Sequence, residues 1–491
     1  MSYAVVPAST SGVGLRSARG PILLALMLST ALVALDATII ATASATIARD
    51  LGSFSQVPWL FSAYLLAQAV STPLFGRLAD VLGRKRLMLA GVGFFLAGSV
   101  LCGAAWSMPA LIGGRVLQGL GAGAVMPVSL TIAADIYTLQ ERAKTQGYLA
   151  SVWAISSVVG PTLGGVFSEF LSWRWIFWIN LPLCFSAAAM LVLKYHESPR
   201  EGDREPIDYL GAALLAGGST LVLLGLLEGG TSWAWTSVPS VLIFAAAALM
   251  LAAFAAHALR STHPILNLRL LRRRVVGVPT AVSLLVGVIV LGLSTYVPIY
   301  AQGVLGVGPL IAGFALAAMT VGWPLAATNA GRVYLALGFR HTSMIGSTFV
   351  VVGTALTLLL GEQSTVIMIG MFTFVVGVGM GLTAVPTLIA SQSAAEFTER
   401  GAVTGVNMFA RSLGSAIGVA ICGAIVNART TVGPDGTPAG PGLMAAVHTV
   451  FTLLLLTAAA LAVLAFLMPA DRPKRTPEPA NEETQAPTTA A

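Results

Sequence analysis

Two charged side chains lie inside long apolar stretches of the chain, where they could carry ion chemistry. Asp36 is the only acidic residue between Gly20 and Ala48, and Arg115 lies in the apolar segment that begins at Leu111. A charge at the centre of a membrane helix costs roughly 3 kcal/mol or more. Such a carboxylate is normally protonated, paired with a positive charge, or exposed to a water-filled cavity. A group that changes between these states can couple proton movement to another process.

Arg115 has the complementary requirement, because an arginine inside a bilayer needs an anion or a water-filled path. We therefore expect Arg115 to be the electrostatic neighbour of Asp36. A structural hydrogen bond from Arg115 to helix carbonyls is the alternative. Gln118 lies three residues after Arg115 on the same helix face, and it is a candidate substrate contact.

A further arginine, Arg411, lies about 14 Å into an apolar stretch of the second half at helical rise. Asn407 precedes it by one turn on the same face. The pair could receive an anionic or hydrogen-bonding group of a substrate, and a salt bridge or a carbonyl cap between helices remains an equal alternative. Four aromatic residues suit apolar or cationic ligands and are also candidate contacts: Tyr64, Trp153, Tyr296 and Tyr300.

The composition of the chain indicates what kind of structural elements position these residues. The 491-residue chain is 56% hydrophobic and only 10% charged, with a mean hydropathy of +0.84. Soluble domains carry about 25% charged residues, so the composition indicates a polytopic membrane protein. Roughly fourteen apolar stretches reach the ~20 residues that span a bilayer. The five histidines are scattered and no phosphate-binding GxxxxGK[ST] loop occurs, which disfavours an enzyme, a metal site or ATP-driven transport.

The positive charges indicate the orientation. If the spans alternate, 22 of the 27 basic residues fall on the side of the chain termini, three fall on the other side, and Arg115 and Arg411 fall within spans. This bias predicts that both termini are cytoplasmic in a bacterial inner membrane. The cluster Arg272–Arg274 is then a juxtamembrane contact for anionic lipid, and the net charge of +7 does not indicate nucleic-acid binding.

Two charged linkers divide the apolar stretches into groups of six, two and six. The predicted organisation is a cytoplasmic segment over 1–20, a six-helix bundle over 21–195, a linker with two extra helices over 196–274, a second bundle over 275–470 and a disordered tail over 471–491.

The two six-helix blocks share glycine spacings, which predicts a parallel internal repeat around a central cavity. The shared glycines pair Gly76 with Gly331, Gly83 with Gly338, Gly147 with Gly401, Gly160 with Gly414 and Gly164 with Gly418.

The turn GRLADVLGR contains Gly76, Asp80, Gly83 and Arg84, and it resembles the signature loop of the major facilitator superfamily. The resemblance implies a conformational lock between two bundles on the cytoplasmic side. The second copy of the turn has Leu335 where the acid would be, so the lock should be one-sided. The segment around Arg115 resembles another motif of the family, which implies a role for this arginine in proton coupling.

The segment SSVVGPTLGG resembles the antiporter motif of the exporters in this family, through Gly160, Pro161, Gly164 and Gly165. In the first apolar stretch, LDAT resembles a motif of the fourteen-span drug:proton antiporters. The resemblance places Asp36 in proton coupling and makes Thr38 a candidate substrate contact. The asparagine that usually follows in this motif is absent, since Ala41 and Thr42 stand in its neighbourhood.

We therefore expect an all-α major facilitator fold of two six-helix bundles plus two extra central helices, fourteen spans in total. The implied function is proton-coupled export of small amphiphilic or cationic compounds by alternating access. The proton is the only coupling ion and no other cofactor is expected; the partners are the substrate and membrane lipids, and we expect a monomer. An exporter of a lipid or natural product is the main alternative, and a membrane sensor or enzyme is a weaker one.

Overall fold

The computed structural model describes residues 13–51, 56–197, 206–230, 233–262, 264–266, 268–432, 438–439 and 442–470. Within these residues the chain forms α1 Gly20–Leu51, α2 Val57–Leu82, α3 Arg84–Gly103, α4 Met108–Ile136, α5 Leu139–Phe170, α6 Trp175–Trp178, α7 Asn180–Lys194, α8 Tyr209–Glu228, α9 Val238–Arg260, α10 Leu268–Arg272, α11 Arg274–Gly303, α12 Pro309–Leu337, α13 Phe339–Thr357, α14 Val366–Ala394, α15 Arg400–Asn427 and α16 Leu443–Phe466. The only paired strands described are β1 Thr431–Val432 and β2 Pro438–Ala439, two residues each. The tail over 471–491, most of the segment over 1–20 and part of the first linker lie outside the described residues.

Twelve of the described helical segments are long and apolar enough to cross a membrane, two fewer than the expected fourteen. The two expected spans that fall short correspond to α2 and α13. Polar residues interrupt both helices: α2 contains Gln68, Ser71 and Thr72, and α13 begins with Arg340 and His341. These residues lower the hydropathy of the two helices. The protein is therefore a multi-pass helical membrane protein with about twelve strongly apolar helices.

The helices divide into two groups, each with its own buried core. One core joins residues of α1 to α5 and α7, and includes Leu26, Phe95 and Val125; Leu388 of α14 and Met408 of α15 also pack in it. The other joins α11 to α16, and includes Val286 and Phe451. Apolar side chains cover the outer surfaces of the helices as well, as expected for surfaces that face lipid.

The equivalent turns of the two groups have the same backbone geometry. Gly83 separates α2 from α3 with φ +102°, and Gly338 separates α12 from α13 with φ +88°. Residues with a Cβ are strained at such angles, so glycine is favoured at both turns. The shared geometry agrees with the internal repeat predicted from the glycine spacing.

The extra pair, α8 and α9, packs together, and α8 also contacts α2 and α15. Asp208 caps α8 by accepting a 2.8 Å hydrogen bond from the Gly211 amide, and His257 of α9 lies 2.8 Å from the same carboxylate. Burial raises the pKa of Asp208, but these hydrogen bonds and one from the Ile265 amide outweigh it and leave the pKa below its usual range. The ionised carboxylate therefore ties the start of α8 to the end of α9.

Both ends of the described chain lie on one face of the molecule. This face carries Arg19, Arg84 and Arg400, and we call it the basic face. Arg19, just before α1, donates a 2.8 Å hydrogen bond to the Ile136 carbonyl at the end of α4. The end of α16 lies there as well, since the Arg340 guanidinium is 4.5 Å from the centre of the Phe466 ring.

Candidate functional site

A buried ion pair joins α1 to α4. The Asp36 carboxylate lies 2.5 Å from the Arg115 guanidinium, and each residue is only 1% exposed. The Nε of Arg115 also donates to the Leu60 carbonyl of α2 at 3.0 Å. The expected contact between Asp36 and Arg115 is therefore present. The hydrogen bond from Arg115 to a helix carbonyl, which was the alternative, is present as well.

Polar residues from three further positions complete the network around this pair. The Gln118 amide nitrogen donates to Asp36 at 3.2 Å and to the Ser99 hydroxyl at 2.8 Å. Its carbonyl oxygen accepts from Arg115 at 2.8 Å, and Asn180 donates to Ser99 at 3.2 Å. All five side chains are essentially buried. Gln118 therefore orients the ion pair, and its position does not support the predicted contact with a substrate.

Tyr64 of α2 forms one wall of the network. Its ring lies 4.2 Å from the Arg115 guanidinium carbon, within the range of a cation–π interaction. The residue is 2% exposed, and its hydroxyl has no hydrogen-bond partner among the described residues. This position makes Tyr64 a neighbour of the ion pair, whereas we predicted that it would contact a ligand.

The network can respond to the gain of one proton. An ion pair in a low-dielectric interior is stable only while both charges and their hydrogen bonds persist. Protonation of Asp36 removes its negative charge and leaves the Arg115 charge uncompensated inside the protein. Such a change would favour a rearrangement of α1 against α4 or the entry of another anion or water.

Thr38 connects Asp36 to the predicted antiporter motif on α5. The Thr38 hydroxyl donates to the Ser156 carbonyl at 3.0 Å, and a Cβ at Gly160 would lie 2.0 Å from this hydroxyl. Glycine at 160 is therefore what allows α1 and α5 to approach each other. Thr38 serves this helix contact, and the geometry does not show it as a free substrate contact.

The other residues of that motif have different surroundings. Gly164 is buried, whereas a Cβ at Gly165 would meet nothing within 4 Å. The helix α5 continues through Gly160 and Pro161, so the motif does not interrupt it. The side chain of Pro161 lies outside the described part of the chain.

The basic face holds the signature turn against the second helical group. The Asp80 carboxylate accepts hydrogen bonds from the Gly401 and Ala402 amides, at 3.0 and 2.8 Å, at the first turn of α15. Asp80 also lies 2.9 Å from Arg84. A carboxylate is well suited to this position because helix N-termini present free amides and a positive dipole end. Gly76 allows the approach, since its Cβ would lie 2.4 Å from the Gly401 carbonyl oxygen.

A second carboxylate extends this contact. Asp135, at the end of α4, lies 3.0 Å from both Arg84 and Arg400. Arg84 also donates to the Phe397 carbonyl at 2.6 Å and lies over the Phe397 ring at 4.2 Å. We call the set Asp80, Arg84, Asp135 and Arg400 the basic-face cluster, and it joins both helical groups.

The second copy of the turn makes a weaker connection. Leu335 offers no charge, and the adjacent Tyr334 hydroxyl donates instead to the Leu139 carbonyl at the start of α5. A Cβ at Gly147 of α5 would lie 2.0 Å from the Thr328 hydroxyl of α12. The two groups therefore meet along α5 and α12 as well as along α2 and α15, and the latter contact contains the buried charges of Asp80 and Arg84.

The candidate ligand contacts of the second half are mostly occupied. Tyr296 is buried in the core of its group, and the Tyr300 hydroxyl donates to the Gly361 carbonyl at 2.7 Å. Asn407 accepts from the Ser283 hydroxyl at 2.6 Å and donates to the Pro279 carbonyl at 3.3 Å. Of the four predicted aromatic contacts, only Trp153 is substantially exposed, at 37%.

Arg411 differs from Asn407, although the two lie one turn apart. Its backbone packs on α11, where a Cβ at Gly287 would lie 2.0 Å from the Arg411 carbonyl oxygen. The residue is partly exposed. Among the residues that the structure describes, none offers its guanidinium a carboxylate or a hydrogen bond.

Several residues of these networks lacked a signal in the sequence. Ser99 and Asn180 are ordinary polar residues within apolar stretches, and Arg400 and Phe397 follow a loop without a motif. Buried polar residues in a membrane helix are rare enough to mark Ser99 and Asn180 as candidates in principle. The ion pairs of Asp135 assign it to the basic-face cluster.

Comparison with known proteins agrees with this architecture. The family model described as "Major Facilitator Superfamily" matches residues 26–419, so the chain belongs to this family of transporters rather than to an enzyme family. Multidrug resistance protein 3 of Bacillus subtilis is 31% identical over 404 residues, which cover 82% of this chain and 79% of that protein. Multidrug transporter protein MdtP of the same organism is 32% identical over 419 residues, covering 85% and 77%.

An efflux pump of Gibberella fujikuroi, FUS6, is 34% identical over 422 residues, which cover 83% of this chain and 75% of that protein. Among solved structures, the human organic anion transporter MFSD10 superposes with a TM-score of 0.63 at 16% identity, covering 91% of this chain and 99% of that one. The proton:xylose symporter XylE superposes at 0.61 with 14% identity, covering 90% and 94%. At these identities the structures support the fold alone.

Proposed function

We propose that this transporter exports small amphiphilic compounds from the cell in exchange for protons. The observation that carries the proposal is the buried Asp36–Arg115 pair, a titratable carboxylate held at 2.5 Å from its counter-ion inside the membrane part of the fold. Relatives at 31–34% identity that are named as multidrug resistance proteins and efflux pumps support the direction of transport. The close contact of Gly160 with Thr38 supports a working connection between α1 and α5.

The proposed orientation places the basic face in the cytoplasm, following the distribution of positive charge. The structure then corresponds to a state closed toward the cytoplasm, since the basic-face cluster joins the two helical groups there. Opening toward the cytoplasm must separate Asp80 from the Gly401 and Ala402 amides and Arg400 from Asp135. Alternating access requires such a reversible contact on one side of a central site.

In the proposed cycle Asp36 accepts a proton while the transporter is open to the outside. Protonation weakens the attraction between Asp36 and Arg115, and the transporter reorients. Facing the cytoplasm, Asp36 releases the proton as the substrate binds, and the ion pair forms again. Inward movement of protons is thereby exchanged for outward passage of the substrate.

We further propose that α2 and α13 cross the membrane, which would give the fourteen spans of the drug:proton antiporters. Their 26 and 19 residues measure about 39 and 28 Å, close to or above the ~30 Å hydrocarbon thickness. α2 ends just before Gly83, beside the basic-face cluster, and α13 begins just after the equivalent turn, Gly338. Their polar residues are directed largely into the protein, where Ser71, Thr72 and Thr342 are buried.

The decisive experiment is the substitution Asp36→Asn in proteoliposomes under an imposed pH gradient. Transport of a panel of amphiphilic dyes of either charge should follow the gradient in the wild type and lose this dependence in the variant. Asp50→Asn is the matched control, because Asp50 lies on the same helix but is exposed and pairs with Arg174 at 3.0 Å. Gradient-driven transport that survives in Asp36→Asn would exclude Asp36 as the coupling residue.

A further inference from the structure

We infer that the central site of this transporter binds the anionic group of its amphiphilic ligand at Arg411. The inference rests on the proposed function for the statement that the bound ligand is also the cargo, but the binding itself can be tested without transport. The expected binding of cationic compounds relied on four aromatic residues, of which Tyr64, Tyr296 and Tyr300 are buried and only Trp153 is substantially exposed.

The position of Arg411 relative to the contact between the two helical groups is the first argument. Met408, three residues earlier and on the same side of α15, packs in the core of the first group together with Leu388 of α14. This contact closes the molecule toward the basic face. Arg411 lies one turn further from the basic face, about 16 Å along α15 from Arg400 at helical rise. It is therefore next to the closed contact, at the depth of a central site.

The lack of a counter-ion is the second argument. Arg115 is paired with Asp36, Arg84 with Asp80 and Asp135, and Arg400 with Asp135. In the part of the chain that the structure describes, Arg411 has no such acidic partner. A guanidinium within a membrane protein is expensive unless an anion or water satisfies it. The buried carboxylates Asp36, Asp80 and Asp135 each pair with another arginine, so an anionic ligand would supply the counter-charge that Arg411 lacks.

The fate of the predicted cation contacts is the third argument. Tyr296 is 4% exposed and Tyr300 is fully buried, so neither ring is available to an ammonium group. Tyr64 already contacts the Arg115 guanidinium. The Arg411 charge, in contrast, has no partner among the described residues, and it suits an amphiphile with a carboxylate, phosphate or sulfonate group. A planar guanidinium binds such groups through two parallel hydrogen bonds.

Equilibrium binding in lipid nanodiscs tests this inference with ligands that differ only in their headgroup. The probes are dodecyl phosphate and dodecyltrimethylammonium, measured with the wild-type chain in nanodiscs of zwitterionic lipid. We expect dodecyl phosphate to bind at least about tenfold more tightly, a difference of roughly 1.4 kcal/mol. In Arg411→Gln this preference should disappear. In Arg411→Lys part of it should remain, because lysine keeps the positive charge but loses the two parallel hydrogen bonds of the guanidinium.

Arg332→Gln is the matched control, because it also removes one arginine but at an exposed position near the basic face. It should keep the preference. Equal binding of the two probes to the wild type, or an unchanged preference in Arg411→Gln, would overturn the inference. Loss of the preference in Arg332→Gln would also overturn it, since a general charge effect would then explain the result.

Two additional measurements are needed. The first distinguishes a lipid from a soluble organic acid as the source of the anion. The second, gradient-driven transport by Asp36→Asn, distinguishes failure of this inference from failure of the proposed function. Anionic phosphatidylglycerol in the nanodisc should compete with dodecyl phosphate if the natural ligand is a lipid, and leave its binding unchanged if the ligand is a soluble organic acid. Headgroup binding is measured without a pH gradient, so its outcome does not depend on proton coupling through Asp36. If Asp36→Asn still transports but the headgroup preference depends on Arg411, the coupling proposal fails and the binding inference stands.

Discussion

At the scale of single residues, the most informative contact is the one between Thr38 and Gly160. Asp36 lies two residues from Thr38 on α1, so the fit of α1 against α5 influences the orientation of the ion pair. The Cβ of an alanine at position 160 would lie 2.0 Å from the Thr38 hydroxyl and 2.8 Å from the Thr38 Cβ. These distances are too short for contact, so one helix must move.

We therefore predict that Gly160→Ala lowers the free energy of unfolding by about 1–3 kcal/mol through overpacking and reduces gradient-driven transport. Thermal unfolding of the purified protein measures the first effect. Gly165→Ala on the same helix should have almost none, because a Cβ there meets nothing within 4 Å. The double variant Gly160→Ala/Thr38→Gly should recover part of the loss. Equal effects of the two single alanine substitutions would show that this contact is unimportant.

The residue scale also shows what the sequence could and could not predict. A carboxylate and a guanidinium in apolar stretches were enough to predict the Asp36–Arg115 contact, because few other groups could neutralise them. The aromatic residues carried no such constraint. Tyrosines such as Tyr296 and Tyr300 occur both in ligand sites and in protein cores. Only their packing shows that these two belong to the core.

At the scale of elements, the contact between α2 and the start of α15 decides whether the basic face is closed. At its centre the Asp80 carboxylate accepts hydrogen bonds from two backbone amides of α15. Asp135 adds two ion pairs, one with Arg84 and one with Arg400. The turn itself was recognisable from its glycines and charges. Its partner was not, because the amides of Gly401 and Ala402 belong to the backbone and carry no sequence signal.

We predict that Asp80→Ala shifts the protein toward states that are open at the basic face. The substitution leaves the two α15 amides unsatisfied and removes one of the two carboxylates that pair with Arg84, each a cost of about 1–3 kcal/mol to the closed state. Spin labels on Lys144→Cys of α5 and Arg332→Cys of α12, both exposed, should report longer and broader distances in the variant. The natural cysteines are buried, so labelling is confined to the introduced ones.

Asp208→Ala is the control for this measurement, because Asp208 also caps a helix but connects α8 to α9 instead of joining the two helical groups. Its distance distribution should match that of the parent. A distribution unchanged in Asp80→Ala would mean that the apolar contacts along α2 and α15 keep the face closed without the carboxylate.

At the scale of the whole molecule, the number of helices that cross the membrane depends on α2 and α13. The composition predicted a polytopic helical protein, and the family and the fold confirm it. The number of spans is harder to obtain from composition, because a helix enclosed by other helices can contain polar residues and still cross. In α13, Thr342, Ser343, Ser347 and Thr354 are fully or almost fully buried, so these hydroxyls need not face lipid.

We predict that α2 and α13 each connect opposite sides of the membrane. Single cysteines at the exposed positions Arg49 and Arg86 flank the region of α2, and cysteines at His341 and Glu362 flank α13. In intact cells, a membrane-impermeant maleimide should label Arg49→Cys and Glu362→Cys, whereas Arg86→Cys and His341→Cys should react only after the cells are permeabilised. These outcomes follow if the basic face is cytoplasmic and each helix crosses once. Labelling of both members of a pair from the same side would show that the helix between them does not cross, and would reduce the count to the twelve strongly apolar spans.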